Sequence, residues 1–476
     1  DERYWEAAQV FADQWLAYLA TEPTNDRLWS DHAVALRSST LGMYLTILEF
    51  KGLPIPPDAL ENAQLCVDNI VDEATYRTNH SHGIIQLRGL AALAKTFHHE
   101  HTLIPLIVER LHAQLDRVYN RAGVHVENTP SYQVGADRVF AEFADHILPA
   151  LSDEIDVSWV RAKLAQSQGF LDAVALSPSF YPQVGEMFTE FPPAGDWEPM
   201  RSFYPAPPGY YIAKDPQTYK LFKAGCADRT RKHFDDLALW LFSRGVDILI
   251  DPGMFSYERE DPIRNYCVSA QGHNTVTVDT QILGRQALQA GRTGFLSYVE
   301  KPGYTVVSAF NDMYERVAIM RTLYDFGDLM IVVDDCHSDE EHTYNQSWHL
   351  NENAIRIAAG TEVVYAIPGS SSILRIKQFL PVVIQETRRG LNKAMNTHDI
   401  AQVSGWVCRG LGEPIPTDTV IFRQFGRQAR FLTAISIEDD DQISLADGTS
   451  VTSEQLVMSP STGWLELAGA AIVAPH

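Results

Sequence analysis

Cysteine is scarce in this sequence of 476 residues, and no two cysteines have the CxxC spacing of a thiolate metal site. The five cysteines are too dispersed for a disulfide framework, so we expect them to be small buried side chains. No run of about 18 apolar residues occurs, which argues against a membrane-spanning helix. Residues 1–5 lack the basic and apolar regions of a signal peptide, so such a leader is either absent or removed from this chain.

Positive charge is in the minority. The 38 Lys and Arg residues face 61 Asp and Glu residues, which gives a net charge of -23 at pH 7. This balance argues against a protein that binds nucleic acid or anionic membranes, because neutralising phosphates requires a basic face. The apolar fraction of 45% is typical of globular proteins, and the length indicates about two to four domains.

The first part of the chain, to about residue 175, has the apolar periodicity of helices. One stripe runs from Trp5 to Leu19, and a second runs from Val34 to Leu48 and ends near Gly52. Further helical patterns follow over residues 80–98, 103–119, 131–148 and 157–174. The short connections between these patterns favour antiparallel helix hairpins.

The second part of the chain has the texture of β-strands. Residues 178–205 are rich in Pro, Phe and Tyr and read as a linker. The strand-like runs after it are mostly β-branched or apolar and are bounded by turn residues: 209–213, 247–250, 274–278 and 329–333. Because no helical pattern separates them, the sequence predicts antiparallel sheets.

Two polar segments precede helical patterns in the first part of the chain. Asn79 and His80 open a predicted helix, whose free N–H groups favour an anion such as a carboxylate. Asn79 could equally serve only as the N-cap of that helix. The second segment, residues 123–132, contains Glu127 and Tyr132, and a Tyr at a helix start more often serves packing than catalysis.

Three candidate metal ligands lie at the ends of predicted strands in the second part. They are His233, Asp251 and His273, and imidazole with carboxylate is a ligand set that suits Zn²⁺. Their wide separation in sequence leaves open whether the strands bring them together. His349 lies on a strand pattern, where it could reach a cleft or be a satisfied core histidine.

Five segments occur in the order typical of one enzyme family: the Asn79–His80 pair, and residues 123–132, 182–186, 233–253 and 272–276. Together they resemble the heparinase II/III-like family of polysaccharide lyases, over about residues 75–350. The resemblance implies an α+β protein, with an incomplete α/α toroid followed by an antiparallel β-sandwich. We expect the toroid in residues 1–200 and the sandwich in 201–476, with a substrate cleft between the two domains.

The resemblance also implies β-elimination on a uronic-acid polysaccharide. The C5 proton of a uronate is barely acidic, so its carboxylate must be neutralised before a base removes it. Asn79 and His80 match the family's neutralising positions, and Tyr132 matches its catalytic Tyr, which serves as base and acid. Because a free Tyr has a pKa of about 10, a nearby cation must lower it.

Family metal ligands match His233, Asp251 and His273, so we expect a structural zinc ion. The sequence departs from the family at Arg231, where many members have a histidine that assists proton transfer. A guanidinium does not act as a base near neutrality, but it binds carboxylate or sulfate in bidentate fashion. A second departure places Glu186 where an aspartate is usual.

We expect substrate contacts from Glu127, Arg231, Tyr257, Tyr266 and His349. A heparan-type glycosaminoglycan is slightly favoured over alginate or a bacterial exopolysaccharide, and the expected location is periplasmic or secreted. Two alternatives stay open. One is a non-catalytic polysaccharide-binding protein of exopolysaccharide synthesis or export, which the change at Arg231 suggests. The other is a glycoside hydrolase that pairs Glu127 with Asp137, Asp235 or Glu186.

The net negative charge does not exclude an acidic polysaccharide, because binding depends on the local cleft and not on the total. The expected cationic groove contains Arg77, His80, Arg138, Arg231 and Lys232. We expect no nucleic acid partner and no membrane insertion, and the sequence does not indicate an oligomeric state.

Overall fold

The computed structural model describes residues 2–21, 28–78, 81–96, 100–176, 180–187, 200–369, 372–393, 400–459 and 465–473. The chain divides into two compact units, one of residues 1–123 and 134–168 and the other of residues 124–133 and 169–476. The segment that carries Tyr132 therefore groups with the sheet-rich unit, although the sequence analysis placed it in the helical domain. The domain boundary at residue 200 stays a prediction.

The first unit is built from helices. The described α-helices of the chain are α1 (Glu2–Thr21), α2 (Asp31–Lys51), α3 (Pro57–Val71), α4 (Ser81–Thr96), α5 (Glu100–Val118), α6 (Pro130–Glu142), α7 (Leu148–Leu151), α8 (Ser158–Val174) and α9 (Pro262–Val268). A π-helical turn, Phe143–Ile147, connects α6 to α7. None of the described helices is long and apolar enough to cross a membrane.

Small residues set how closely α2 and α4 pack. A Cβ atom on Gly42 of α2 would lie 2.7 Å from the Cβ of Ala92, and one on Gly89 of α4 would lie 2.6 Å from the Cβ of Ser38. The end of α2 is where the sequence predicts it. There, Gly52 adopts a left-handed conformation with φ of 65° and its N–H caps the last turn.

The second unit contains two large antiparallel sheets. The first has the order β1-β2-β3-β4-β5, with strands β1 (Met200–Tyr204), β2 (Gly209–Lys214), β3 (Thr218–Ala224), β4 (Ala238–Ser243) and β5 (Val246–Leu249). The later strands are β6 (Val276–Val278), β7 (Thr293–Lys301), β8 (Tyr304–Asn311), β9 (Val317–Asp325), β10 (Leu329–His349), β11 (Ile355–Ala358), β12 (Glu362–Ala366), β13 (Ile373–Gln378), β14 (Ile384–Arg389), β15 (Leu391–Asn392), β16 (Val403–Ser404), β17 (Trp406–Cys408), β18 (Pro414–Pro416), β19 (Asp418–Glu438), β20 (Ile443–Ser444), β21 (Ser450–Val451), β22 (Leu456–Met458), β23 (Leu465–Leu467) and β24 (Ala470–Val473).

The second sheet has ten strands along the path β11-β12-β13-β19-β10-β9-β8-β7, with β14 paired to β19 and β6 paired to β10. One buried core joins the two sheets. It contains Tyr211, Phe222 and Leu239 from the first sheet and Val307 and Trp348 from the second. The two sheets thus form a β-sandwich, as predicted.

The other face of the ten-stranded sheet is covered as well. Leu329, Ile331 and Val333 of β10 pack with Leu456 of β22 and Leu465 of β23. These last strands belong to a small sheet of order β22-β23-β24. The start of β10 is consequently buried on both faces, which explains the apolar run of residues 329–333.

The predicted helices and strands overlap observed ones, and the elements that were not predicted include α3, β1 and α9. α3 is amphipathic, with Ala59, Ala63 and Ile70 among its buried residues, and the sequence analysis overlooked it. β1 lies within the predicted linker 178–205. α9 lies between β5 and β6, so the expectation that no helix interrupts the strands is wrong; Asp261 caps it and Pro262 opens it.

Candidate active site

The Asn79–His80 pair lies outside the described residues. α4 begins directly after it at Ser81, so a helix N-terminus does follow the pair. Before it, the Arg77 side chain donates to Asp31, with an Nε–Oδ2 distance of 2.6 Å. The role of Asn79 and His80 in neutralising a carboxylate stays a prediction.

Tyr132 lies in the first turn of α6, in a half-buried position. The helix begins at Pro130, because the fixed φ of proline suits a first helical residue. The chain enters this turn through Asn128, a non-glycine residue with φ of 64°. The hydroxyl oxygens of Tyr132 and Tyr257 are 3.2 Å apart, within hydrogen-bond distance, and Tyr257 is 51% exposed.

Arg231 lies against both tyrosines. Its Cζ is 4.6 Å from the ring centroid of Tyr132 and 5.7 Å from that of Tyr257, which are cation–π distances. Its Nη1 forms an ion pair of 2.8 Å with Oε2 of Glu186. Two predicted departures from the family, Arg231 and Glu186, are therefore direct partners. The second oxygen of Glu186 is 4.0 Å from Nη2 of Arg264.

Opposing effects act on the pKa of Tyr132. Burial raises it above its ordinary value, and the contact with the Tyr257 hydroxyl raises it further, whereas the charge of Arg231 lowers it. The pKa of Arg231 itself is raised, because the hydrogen bond and charge of Glu186 outweigh the effect of burial. The guanidinium therefore stays charged, but burial and Tyr257 outweigh its effect, so the pKa of Tyr132 lies above its ordinary value.

Two of the predicted metal ligands share one hydrogen bond, and the third lies beside them. Nδ1 of His273 is 2.8 Å from Oδ2 of Asp251, and the ring centroids of His233 and His273 are 5.5 Å apart. All three side chains are buried. Among the residues that the structure describes, neither ring nitrogen of His233 nor Nε2 of His273 has a hydrogen-bond partner. In the described part of the chain, no three His, Cys, Asp or Glu side chains are arranged to hold an ion.

A closed cluster of charges lies next to this histidine pair in sequence. Nζ of Lys223 is 2.5 Å from Asp235, and Nζ of Lys232 contacts Asp235 and, at 2.7 Å, Asp236. All four side chains are 0% exposed. The expectation that Lys232 lines a cationic groove is therefore wrong, since its charge is neutralised in the interior.

The other predicted substrate contacts, Tyr266, His349 and Glu127, are all buried. Tyr266 is fully buried, and its hydroxyl accepts a hydrogen bond of 3.3 Å from the Gly405 N–H, so its position gives no support to substrate binding. His349 is also a core residue, with its Nε2 3.1 Å from the carbonyl of Gln271, and burial lowers its pKa to about 3. Glu127 is 1% exposed.

The candidate carboxylates of a hydrolase already have other partners. Glu186 pairs with Arg231, and Asp235 pairs with two lysines. In the helical unit, Asp137 accepts hydrogen bonds from Tyr119 and Ser167. Lys223 and Asp236 were missed by sequence reasoning, because β3 also contains Thr218 and Lys220 and a lysine in it gives no local signal of burial.

Comparisons with known proteins agree with this architecture. Residues 206–460, more than half of the chain, match the family model described as "Heparinase II/III-like, C-terminal". No curated protein sequence matches the chain. A crystal structure of heparinase III is similar with a TM-score of 0.71 at 15% identity, covering 95% of this chain and 79% of that one.

A mutant of the heparan sulfate lyase HepC from Pedobacter heparinus gives a TM-score of 0.66 at 14% identity, covering 95% of this chain and 79% of that one. A heparinase III with methylated lysines gives 0.67 at 14% identity, covering 89% and 72%. At such identities the likeness shows the fold alone, and this fold is the predicted helical toroid followed by a β-sandwich.

Proposed function

Because the chain belongs to the heparinase II/III-like family of polysaccharide lyases, we propose that it cleaves a uronic-acid-containing acidic polysaccharide by β-elimination. A heparan-type glycosaminoglycan is the first candidate, ahead of alginate or a bacterial exopolysaccharide. The fold shared with heparinase III and with a heparan sulfate lyase supports this order. Such a polymer places the enzyme in the periplasm or outside the cell, which fractionation of the source cells would test; an enzyme found only in the cytoplasm would contradict it.

The observation that carries the proposal is the contact of Tyr132 with Arg231 and Tyr257. As a tyrosinate, Tyr132 takes the C5 proton of the uronate. The electron pair of the C–H bond forms the C4=C5 double bond, and the bond from C4 to the glycosidic oxygen breaks. The resulting phenol then gives its proton to that oxygen, so the tyrosinate is restored.

Arg231 has two functions in this mechanism. Its charge beside the Tyr132 ring favours the tyrosinate. Its side chain is 25% exposed, so we assign the accessible part of the guanidinium to the uronate carboxylate. Asn79 and His80 remain the proposed partners for the same carboxylate.

A structural zinc ion is part of the proposal. The unpartnered buried nitrogens of His233 and His273, next to the carboxylate of Asp251, support such an ion, because buried imidazole nitrogens ordinarily have partners; the three groups would have to turn toward one point to hold it. When bound, the ion would supply fixed coordination bonds that hold these strand ends together. We expect His233→Ala to lose zinc in elemental analysis, whereas a matched change at another buried histidine, His342→Ala, retains it. Equal zinc contents in the two variants would contradict the site.

The decisive experiment is an activity screen over heparan sulfate, chondroitin sulfate, hyaluronan, alginate and bacterial exopolysaccharides. Elimination produces an unsaturated uronate, so the ultraviolet absorbance should rise with at least one polymer. Mass spectrometry adds a check, because hydrolysis adds water to the products and elimination does not. No absorbance rise on any polymer would contradict the proposal.

A polysaccharide-binding protein without activity is the second candidate. One observation favours it: burial and Tyr257 raise the pKa of Tyr132, which opposes its use as a base. Calorimetric binding of an acidic polysaccharide without product, unchanged by Tyr132→Phe, would support this candidate against the lyase.

A further inference from the structure

One asparagine joins the segment that carries Tyr132 to the loop that carries Arg231. Nδ2 of Asn128 donates to the carbonyl oxygens of Asp228 and Thr230, both at 3.0 Å. Thr230 immediately precedes Arg231, and Asn128 is four residues before Tyr132. The side chain of Asn128 is thus bonded directly to the backbone from which Arg231 extends.

The backbone carbonyl of the same asparagine is fixed from another side. It accepts hydrogen bonds from the Tyr210 hydroxyl and from Nζ of Lys223, each at 3.3 Å. Lys223 is held in turn by Asp235. Asn128 therefore lies between the closed charge cluster and the two candidate reacting side chains, and it is 0% exposed.

We propose that Asn128 is a positioning residue, which holds the Arg231 guanidinium over the Tyr132 ring and thereby sets the reactivity of the tyrosine. The inference rests on the proposed function, since it concerns the same reaction. Asn128 does not touch the reacting atoms. It acts through the separation of the two side chains, which is 4.6 Å from Cζ to the ring centroid.

The residue type fits this role for two reasons. The backbone at Asn128 is left-handed, with φ of 64°, a conformation that Asn adopts at lower cost than most residues. The side-chain amide also offers two N–H donors on one nitrogen, which match the two carbonyl acceptors. Asp has the same shape and tolerates the same φ, but its carboxylate donates no hydrogen bond and repels both carbonyls.

The test compares Asn128→Asp with wild type on a polymer that the screen identifies. Asn128 acts only through Arg231, so its loss should not exceed that of removing the Arg231 charge, and we expect kcat to fall by up to about tenfold. KM should change less than about threefold, because the proposed contacts of Asn79 and His80 with the uronate carboxylate are kept. Asn128→Gly, which keeps the left-handed backbone and loses the donors, should reproduce the loss if the first variant does not fold.

Gln378→Glu is the matched control, because it converts another buried amide of the same unit, one that donates to Thr433, into an acid. Its kcat per folded molecule should equal that of wild type. A further readout is the double variant that combines Asn128→Asp with Arg231→Gln. The losses of kcat in the two single variants should be less than additive in the double variant, since both changes remove the same charge from its place over the Tyr132 ring.

Wild-type kcat in both Asn128 variants, with Tyr132→Phe inactive, would overturn the inference and leave the proposed function intact. Fully additive effects with Arg231→Gln would also overturn it. If wild type cleaves no polymer, the proposed function fails separately, and a crystal structure of Asn128→Asp still tests the placement. The Arg231 guanidinium should then have moved away from the Tyr132 ring, and an unchanged position would contradict the inference.

Discussion

Two groups of charged side chains in the sheet-rich unit differ in their access to water. Arg231 and Glu186 keep 25% and 9% of their side chains exposed and lie beside two tyrosines. Lys223, Lys232 and Asp235 are 0% exposed, and both lysines form ion pairs with Asp235. The first group is partly exposed, whereas the second has satisfied its charges in the interior. An unusual ion pair therefore indicates function only where it remains accessible.

The comparison predicts that changes in the accessible group lower turnover and leave stability largely unaltered. Tyr132→Phe removes the base and acid, so we expect kcat to fall about 1000-fold. The free energy of unfolding should change by less than about 1 kcal/mol, because the lost hydroxyl is half-buried. Steady-state absorbance assays and urea unfolding measure the two quantities. Wild-type turnover in this variant would show that the base is misassigned.

Changes in the buried group should lower stability more than they lower turnover. Lys223→Met leaves Asp235 with one fewer countercharge in the interior, so we expect unfolding to become easier by about 3–5 kcal/mol in urea titrations. The matched control is Arg161→Met, which breaks an exposed pair with Asp145 and should cost less than about 1 kcal/mol. Equal costs for the two variants would erase the distinction between the groups.

A half-buried carboxylate, Asp137, whose hydrogen bonds come from Tyr119 and Ser167, sharpens the same contrast. Burial raises the pKa of Asp137 to about 6, whereas Lys223 and Lys232 overcome burial and hold that of Asp235 below its usual range. The folded state thus binds the Asp137 proton more tightly than the unfolded chain, and wild-type stability falls as pH rises from about 4 to about 6.

Asp137→Asn removes this dependence. The stability of the variant relative to wild type should therefore rise with pH, by up to about 3 kcal/mol between pH 4 and pH 8 in urea titrations. A relative stability that does not vary with pH would contradict the raised pKa.

The smallest expected effect is at Arg231. Without its charge the pKa of Tyr132 rises further, so Arg231→Gln should move the alkaline rise of the rate to higher pH. A loss of about tenfold at neutral pH corresponds to one unit of pKa. Arg231→Lys keeps a charge and should recover part of the rate. An unshifted pH profile in Arg231→Gln would mean that the cation does not act on the tyrosine.

Sequence periodicity and turn residues predicted the order of helices and strands, because these signals are local. The stop at Gly52 and the strand at 209–213 are examples. The resemblance to a lyase family brought Tyr132, Arg231 and Tyr257 together as candidates, and the structure places them in contact. The zinc site and the roles of Asn79 and His80 remain predictions.

The rest depended on partners distant in sequence. Lysine is ordinarily a surface residue, so nothing local indicates that Lys223 and Lys232 are buried with carboxylates. The sequence around Tyr266 does not distinguish a tyrosine that contacts substrate from one that is buried. Its packing with Cys267 and Val403 shows that it is a core residue. Long-range burial is set by the fold and not by neighbouring residues.

The start of β10 alternates between two cores. Leu329, Ile331 and Val333 face the small C-terminal sheet, whereas Met330 and Val332 face the core of the sandwich. A slip of β10 by one residue would move every side chain to the opposite core. Packing on both faces therefore fixes the register of this strand. Because the small C-terminal sheet and the sandwich pack on the same strand, neither should unfold without the other. Calorimetry should therefore record both melting in a single cooperative transition.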